Sequence, residues 1–590
     1  MFDLFYKKNN NVDLFNYLEK NGFSNIQNYI PLYSQFFNID ENNFNTINLN
    51  NKYSITKVIN RDNNNNFDIK VMDNSNNIIK CKSFFKFSPL LDPIKFMVGK
   101  YKHMHVEELC CLPKPNDNKC CKKVLDANNS AYVDSFFSYL SSKLMNNSGF
   151  IHGINFYGSF LSIQTKFHLN VYDDLEYLYD SNFYHKNKDS LFEVQDIDEE
   201  KLLFSDTRNY RKKINLENTE EIDIECETID NNIFEDIFEL TTKNLKIHEA
   251  SLTEEYSIEN DNKNKEKSER KTNSTCSSRS SNTDEEESDE DSKSNTENDS
   301  SLSNSQMSEY SSMDSEEKVN ATIYNFPVQM ICLEKLENTL DSLLDDEDNE
   351  LTDNEWKSCL FQIIMMLVTY QKIFNFTHND LHTNNIMYIK TDRKFINYKL
   401  DNVYYRVPTY GKIYKIIDFG RAIYNFNGKT ICSDSYHPKG DAATQYNCKP
   451  YFNEKKPRLI PNKSFDLCRL GCSLFDYFDC DLESLTTDLE DLDDVQEIIV
   501  EWCKDDKGKN ILYKKNGEER YPEFKLYKMI ARNVHNHTPI NQLEREQFSQ
   551  YKVSKKKLKK NLNRVLNIDN LPDMTVSDDN DENTVVSINN

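Results

Sequence analysis

An α+β fold of two lobes is what the order of patterns along this chain predicts: a small antiparallel sheet, then a mainly helical part, with a long acidic insertion interrupting the sheet. Three observations carry that expectation. Short β-branched and aromatic runs separated by Asn/Asp turns follow Tyr53, and apolar residues at helical spacing dominate beyond Leu340. Between them lies a polar tract rich in Ser, Asp and Glu.

The first strands read as YSITKVI, FDIKVMD and IIKCKSFFKF, broken at RDNNNN and NSNN, the pattern of an antiparallel meander. Asn129 or Ser130 is placed to cap a helix whose Val133, Phe136, Phe137, Leu140 and Leu144 share one face. INFYGSFLSI and the segment around PVQMICLEKL read as two more strands, separated by an insertion over 181–320. Its stretch 251–318 cannot bury enough apolar surface to offset the entropy of ordering it, so disorder is expected there. Such an insertion is tolerable at a surface hairpin, because closure entropy grows only logarithmically with loop length.

Farther on, Leu360, Ile363, Ile364, Leu367, Tyr370 and Phe374 line one face of a helix leading to His378. Leu467, Leu470, Gly471, Leu474, Phe475 and Phe478 mark a second buried helix. The expected divisions are an N-terminal extension (1–50), a sheet lobe (51–340) holding the insertion, a helical lobe (341–550) and a tail (551–590). The basic run YKVSKKKLKKNLNRVL in that tail reads as a solvated terminal helix.

Composition narrows the function. The chain has 590 residues, and 72 basic against 97 acidic side chains give a formal charge of −25, which argues against a nucleic-acid-binding surface. The opening MFDLFYKKNNN lacks the features of a secretory signal, and the apolar run FQIIMMLV falls far short of the roughly 20 residues that span a bilayer. A soluble, intracellular protein without a transmembrane segment is expected, with its 15 cysteines reduced. Cys110, Cys111, Cys120 and Cys121 form CCLPKPNDNKCC, but adjacent pairs lack the gap of about two to four residues that turns both sulfurs toward one zinc ion.

Phosphoryl transfer needs a group that orients and deprotonates the acceptor hydroxyl, and oxygen ligands that hold magnesium against nucleotide phosphates. FTHNDLHTNNIMY offers Asp380 as the base and Asn385 as one metal ligand, and Asp418 in KIIDFGRAI offers the charged second ligand. Asp-Phe-Gly alone can simply be a turn; the order and setting of the three residues together point to the chemistry.

On these residues the chain resembles the protein-kinase superfamily, whose HRD loop and DFG turn correspond to His378-Asn379-Asp380 and Asp418-Phe419-Gly420. The resemblance covers about residues 325–480 and implies a bilobal kinase fold, ATP and Mg2+ as cofactors, and phosphate transfer to Ser or Thr of protein substrates. It implies that Asp466 anchors the catalytic loop and that His378 is structural. Lys86 would be the nucleotide lysine, although Lys80 and Lys82 share its strand parity. Asp134, one methylene shorter than the usual glutamate, would be its partner or else a solvated charge. Glu334 and Leu336 would meet adenine through their backbone, with Leu333 as gatekeeper. The Asn-rich composition and NFTHNDLHTNNIMY also resemble serine/threonine kinases of giant DNA viruses of amoebae, which would place the protein in host cytoplasm or virion.

The sequence departs from that pattern in four ways. No glycine occurs between Gly22 and Gly99, so the glycine-rich phosphate loop is missing, and asparagines of RDNNNN at positive φ are expected to replace it in part. His382 stands where a lysine usually steadies the transferring phosphate. Asn379 replaces the arginine that pairs with a phosphorylated activation segment, and no APE motif follows. A pseudokinase scaffold and an atypical or small-molecule phosphotransferase therefore stand as alternatives. The acidic insert is a spacer or a candidate partner-binding arm.

Overall fold

The computed structural model describes residues 4, 6–7, 11–49, 52–116, 119–195, 319–344, 350–475, 477–478, 492–514, 517–522 and 524–575. The disorder expected for 251–318 lies outside the described residues.

The β-rich runs and their Asn/Asp turns form strands β1 (Phe23–Gln27), β2 (Tyr53–Arg61), β3 (Asn66–Asp73), β4 (Ile78–Pro89), β5 (Phe156–Asn170), β6 (Phe192–Val194) and β7 (Asn320–Glu334). They lie in one sheet in the order β1-β5-β7-β4-β3-β2, with β6 also on β7 and every pair antiparallel. Alternation along β4 and β7 sends neighbouring side chains to opposite faces. Phe85, Met330 and Cys332 join Ile55, Val58, Ile69 and Val71 in one buried cluster, whereas Ile331 and Leu333 belong to the main core. Helix α1 (Val12–Lys20) closes the first cluster with Leu14 and Leu18. Within the stretch expected as an N-terminal extension, α1 covers the sheet and β1 forms its edge.

Against the other face lies helix α2 (Ser130–Ser148). The Asn129 side chain caps it by accepting from the Ala131 amide at 3.1 Å, and Gly149 ends it at φ +72°. A left-handed terminal residue is the conformation glycine adopts without Cβ strain. Helix α3 (Asp353–Phe374) starts in a capping box of Thr352 and Glu355, and is buried on almost every side. Helices α4 (Phe465–Leu474), α5 (Asp494–Trp502) and α6 (Phe524–Asn533) follow. Phe137 of α2 packs its ring 4.5 Å from Phe376 and 4.6 Å from Phe419, joining the sheet side to the segments after α3.

The structure departs from the sequence reading in three places. The region beyond α3 is not helical alone: β8 (Ile386–Lys390) pairs with β11 (Lys412–Ile416), and β9 (Phe395–Leu400) with β10 (Val403–Pro408). The β9–β10 hairpin turns at Asp401 and Asn402, at φ +49° and +64°, the left-handed pair that suits the twist of a two-residue hairpin. The tail is no solvated α-helix. Lys552–Val553 pairs with β10, Val565–Asn567 runs parallel to β9, and Lys555–Arg564 between them is 3-10 helical. The segment expected as insertion is structured at its start, with a helix at Asn182–Asn187 and β6 paired to β7. Among the described residues no helix is long and apolar enough to cross a membrane.

Candidate active site

Lys86 lies on the third strand of the meander, on the face opposite the buried Phe85. Its Nζ stands 2.8 Å from Asp134 Oδ2 and 3.0 Å from Asp418 Oδ1. Burial opposes the charge, but Asp134 and Asp418 outweigh it and the ammonium is pushed up to about 12. Of the other lysines with its parity, Lys82 is exposed and pairs with Asp62 at 3.2 Å, and Lys80 is exposed. Asp134 is buried in α2, not a solvated charge, and its Oδ1 accepts from the Phe419 amide at 2.9 Å. One short carboxylate thus links the strand lysine to the Asp418-Phe419-Gly420 turn.

The loop after α3 hangs from Asp466 of α4. The two oxygens of this buried carboxylate accept from the amides of His378 and Asn379, each at 2.9 Å. Burial pushes its carboxyl up against the pull of those contacts. Asn379 takes φ +66°, a region that asparagine tolerates better than most residues. His378 Nε2 donates to the Ile417 carbonyl at 2.9 Å, and its Nδ1 accepts from the Asp380 amide at 3.3 Å. Asn385 Nδ2 donates to the Asp380 carbonyl at 2.8 Å and stands 3.1 Å from His382 Nε2. Since an amide nitrogen only donates, His382 Nε2 accepts and its Nδ1 carries the proton. That Nδ1 is buried without a hydrogen-bond partner, and burial holds the imidazole near 4, hence neutral at physiological pH.

Asp418 adopts φ +63°, and Phe419 is buried with its ring 5.7 Å from His378. Gly420 is not at positive φ; a Cβ there would meet Asp418 Oδ1 at 3.5 Å, an ordinary contact. Asp380 leaves 26% of its side chain exposed, enough for a small group to reach. Its Oδ1 accepts from the Tyr527 hydroxyl at 2.7 Å, and its Oδ2 lies 3.8 Å from Arg421 Nε. Burial pushes this carboxyl up, but Arg421, Arg469 and the Tyr527 bond together hold it below the usual aspartate value. Arg421 also pairs with Asp441, and Arg469 Nε donates to the Tyr527 hydroxyl at 3.1 Å. The sequence reading missed Arg421, Asp441, Arg469 and Tyr527. Only Arg421, next to Gly420, carried a positional signal.

At the end of β7 the Glu334 amide donates to the Asn155 carbonyl at 3.0 Å, and its carboxylate pairs with the buried Lys415. Leu336 is buried two residues on, and Leu333 is in register with Phe84 of β4, on the face of Lys86.

The 61–66 turn differs from expectation. None of its residues has positive φ. Asn63 Oδ1 accepts from the amides of Asn65 at 3.0 Å and Asn66 at 2.8 Å, while Arg61 donates to the carbonyls of Asn63 and Asn64. An Asx turn closes the tip, and these two amides are spent inside it. Around the cysteine pairs, Cys110 Sγ donates to the Asn325 carbonyl at 3.0 Å, and Cys120 and Cys121 are buried. Among the described residues no three His, Cys, Asp or Glu side chains are grouped to hold an ion.

Comparison with known proteins adds one short match. A stretch of 81 residues is 43% identical to a protein of Dictyostelium discoideum named a probable serine/threonine-protein kinase. It covers 13% of this chain and 7% of that relative's length. No protein-family model matches the chain.

Proposed function

We propose that the chain is an ATP- and magnesium-dependent protein kinase of bilobal fold, which transfers the γ-phosphate to serine or threonine hydroxyls of protein substrates. One observation carries the reading: Lys86 is held between Asp134 and Asp418 while Asp380 and Asn385 share a loop hydrogen-bonded to the segment leading into Asp418. The amide of Ile417 donates to the Asn385 carbonyl at 3.0 Å, which makes that loop and the Asp418 turn one unit.

In this account Asp380, ionised at neutral pH, accepts the acceptor's hydroxyl proton as the acceptor oxygen bonds to the γ-phosphorus and the bond to the ADP oxygen breaks. Lys86, its charge kept by two carboxylates, would hold the nucleotide phosphates. The Asp418 carboxylate and the Asn385 amide oxygen would hold magnesium, the oxygen donors a hard cation prefers. Asn385 suits that task, because its nitrogen end is spent on the Asp380 carbonyl. Magnesium held there would neutralise charge on the phosphates. Glu334 and Leu336 would border the adenine with Leu333 behind them, and Asp466 and His378 hold the loop. Neutral His382 offers an N–H donor where a lysine would bring a cation.

The test is transfer of labelled phosphate from ATP by the purified full chain, to itself or to mixed proteins. Asp380→Asn is expected to lower it by about 10³-fold, the scale of a lost general base. A second reading, a scaffold that binds without turnover, is favoured by the 61–66 turn, whose Asn65 and Asn66 amides are committed to Asn63. It predicts equal background from wild type and variant.

A further inference from the structure

Resting on the phosphotransfer reading, we infer that Tyr527 is a positioning residue for the base: its hydroxyl fixes one oxygen of Asp380 and thereby reserves the other for the acceptor. The direction of the proton follows from chemistry. The phenol oxygen receives Arg469 Nε at 3.1 Å, and a guanidinium can only donate. The single phenol proton is therefore committed to Asp380 Oδ1, 2.7 Å away.

The phenol itself is held still. Tyr527 is 1% exposed, stacked 5.5 Å from Phe524 and tilted against Phe465 at 6.1 Å, with the guanidinium groups of Arg469 and Arg421 over its ring at 5.2 and 5.7 Å. A planar carboxylate pinned at one oxygen and on the backbone side cannot swing about its last bond. Oδ2 then keeps one direction, and at 3.8 Å from Arg421 Nε it lies beyond hydrogen-bond reach of that cation. The acceptor proton would pass to Oδ2 as the acceptor oxygen bonds to phosphorus and the ADP oxygen leaves.

A phenyl ring alone would fill the same space without holding the carboxylate.

Tyr527→Phe in the full chain tests this through kcat and KM for ATP, with a matched melting curve. The expected result is a kcat about tenfold lower at an unchanged KM for ATP. If circular dichroism shows that this variant does not fold, Arg469→Lys replaces it. That change keeps the cation but removes the Nε bond to the phenol, and a smaller fall in kcat at unchanged KM is expected. An unchanged kcat in the folded variant overturns the positioning role, as does a fall in kcat accompanied by an equal rise in KM for ATP. Wild-type protein without Asp380-dependent transfer overturns the phosphotransfer reading, and the positioning role with it.

Discussion

The loop 378–385 and the turn 61–66 are both rich in asparagine, yet they spend it in opposite ways. Asn379 reaches outward, accepting from the Tyr446 hydroxyl at 2.7 Å and donating to the carbonyls of Thr377 and Arg421. Asn63 turns inward and takes up the amides of its own neighbours. The first arrangement knits distant segments into one buried site; the second closes an exposed tip on itself. The difference teaches that the Asp380–Asp418 end of the site is fixed by long-range contacts, while the 61–66 tip is a self-contained turn.

The largest effect is expected where that long-range network carries charge. Lys86→Met leaves Asp134 and Asp418 without their shared cation, and chemical denaturation should show a loss of about 2–3 kcal/mol, together with loss of phosphate transfer. The pH dependence has a definite sign. The folded lysine sits near 12 against an ordinary 10.5, so its contribution is complete below about 10.5 and disappears as pH rises through 12. Wild type and Lys86→Met should therefore converge in stability at the alkaline end.

Asp466→Asn comes next. An amide has one acceptor oxygen for the two buried amides of His378 and Asn379, so thermal unfolding should report a loss of about 2 kcal/mol. Asn63→Ala sharpens the comparison from the other side. Only the exposed tip loses its acceptor, so stability should fall by about 1 kcal/mol and transfer should stay within about twofold. A collapse of transfer in that variant would mean that the turn does hold the nucleotide. The smallest effect belongs to Gly420→Ala, expected to change the melting behaviour by under about 0.5 kcal/mol, since neither φ nor space at that position demands glycine.

Much of this was legible in the sequence, and the reason is locality. Period-two alternation marked Lys86 as one of three candidates, helical spacing set Asp134 on α2, and HNDLHTNN and IDFG brought Asp380, Asn385 and Asp418 into view. The β9–β10 hairpin also carried a readable signal, Asp401-Asn402 between two β-rich runs, which the helical reading of that region overrode. What was not legible depends on distant segments meeting. Tyr527 reaches Asp380 across 147 residues of chain, and the parallel pairing of Val565–Asn567 with β9 likewise has no local signature. The 61–66 turn failed for a different reason. Asparagine serves equally as a positive-φ residue and as a side-chain acceptor, and sequence alone does not choose between the two.

The central claim is that Asp380 serves as the base of a phosphotransfer site. The most direct measurement is the initial rate of labelled phosphate transfer from Mg-ATP by the full chain, wild type beside Asp380→Asn, with matched melting curves. The account predicts transfer by wild type and a fall of about 10³-fold in an equally folded variant. Equal rates from the two proteins, at background or above it, would contradict it.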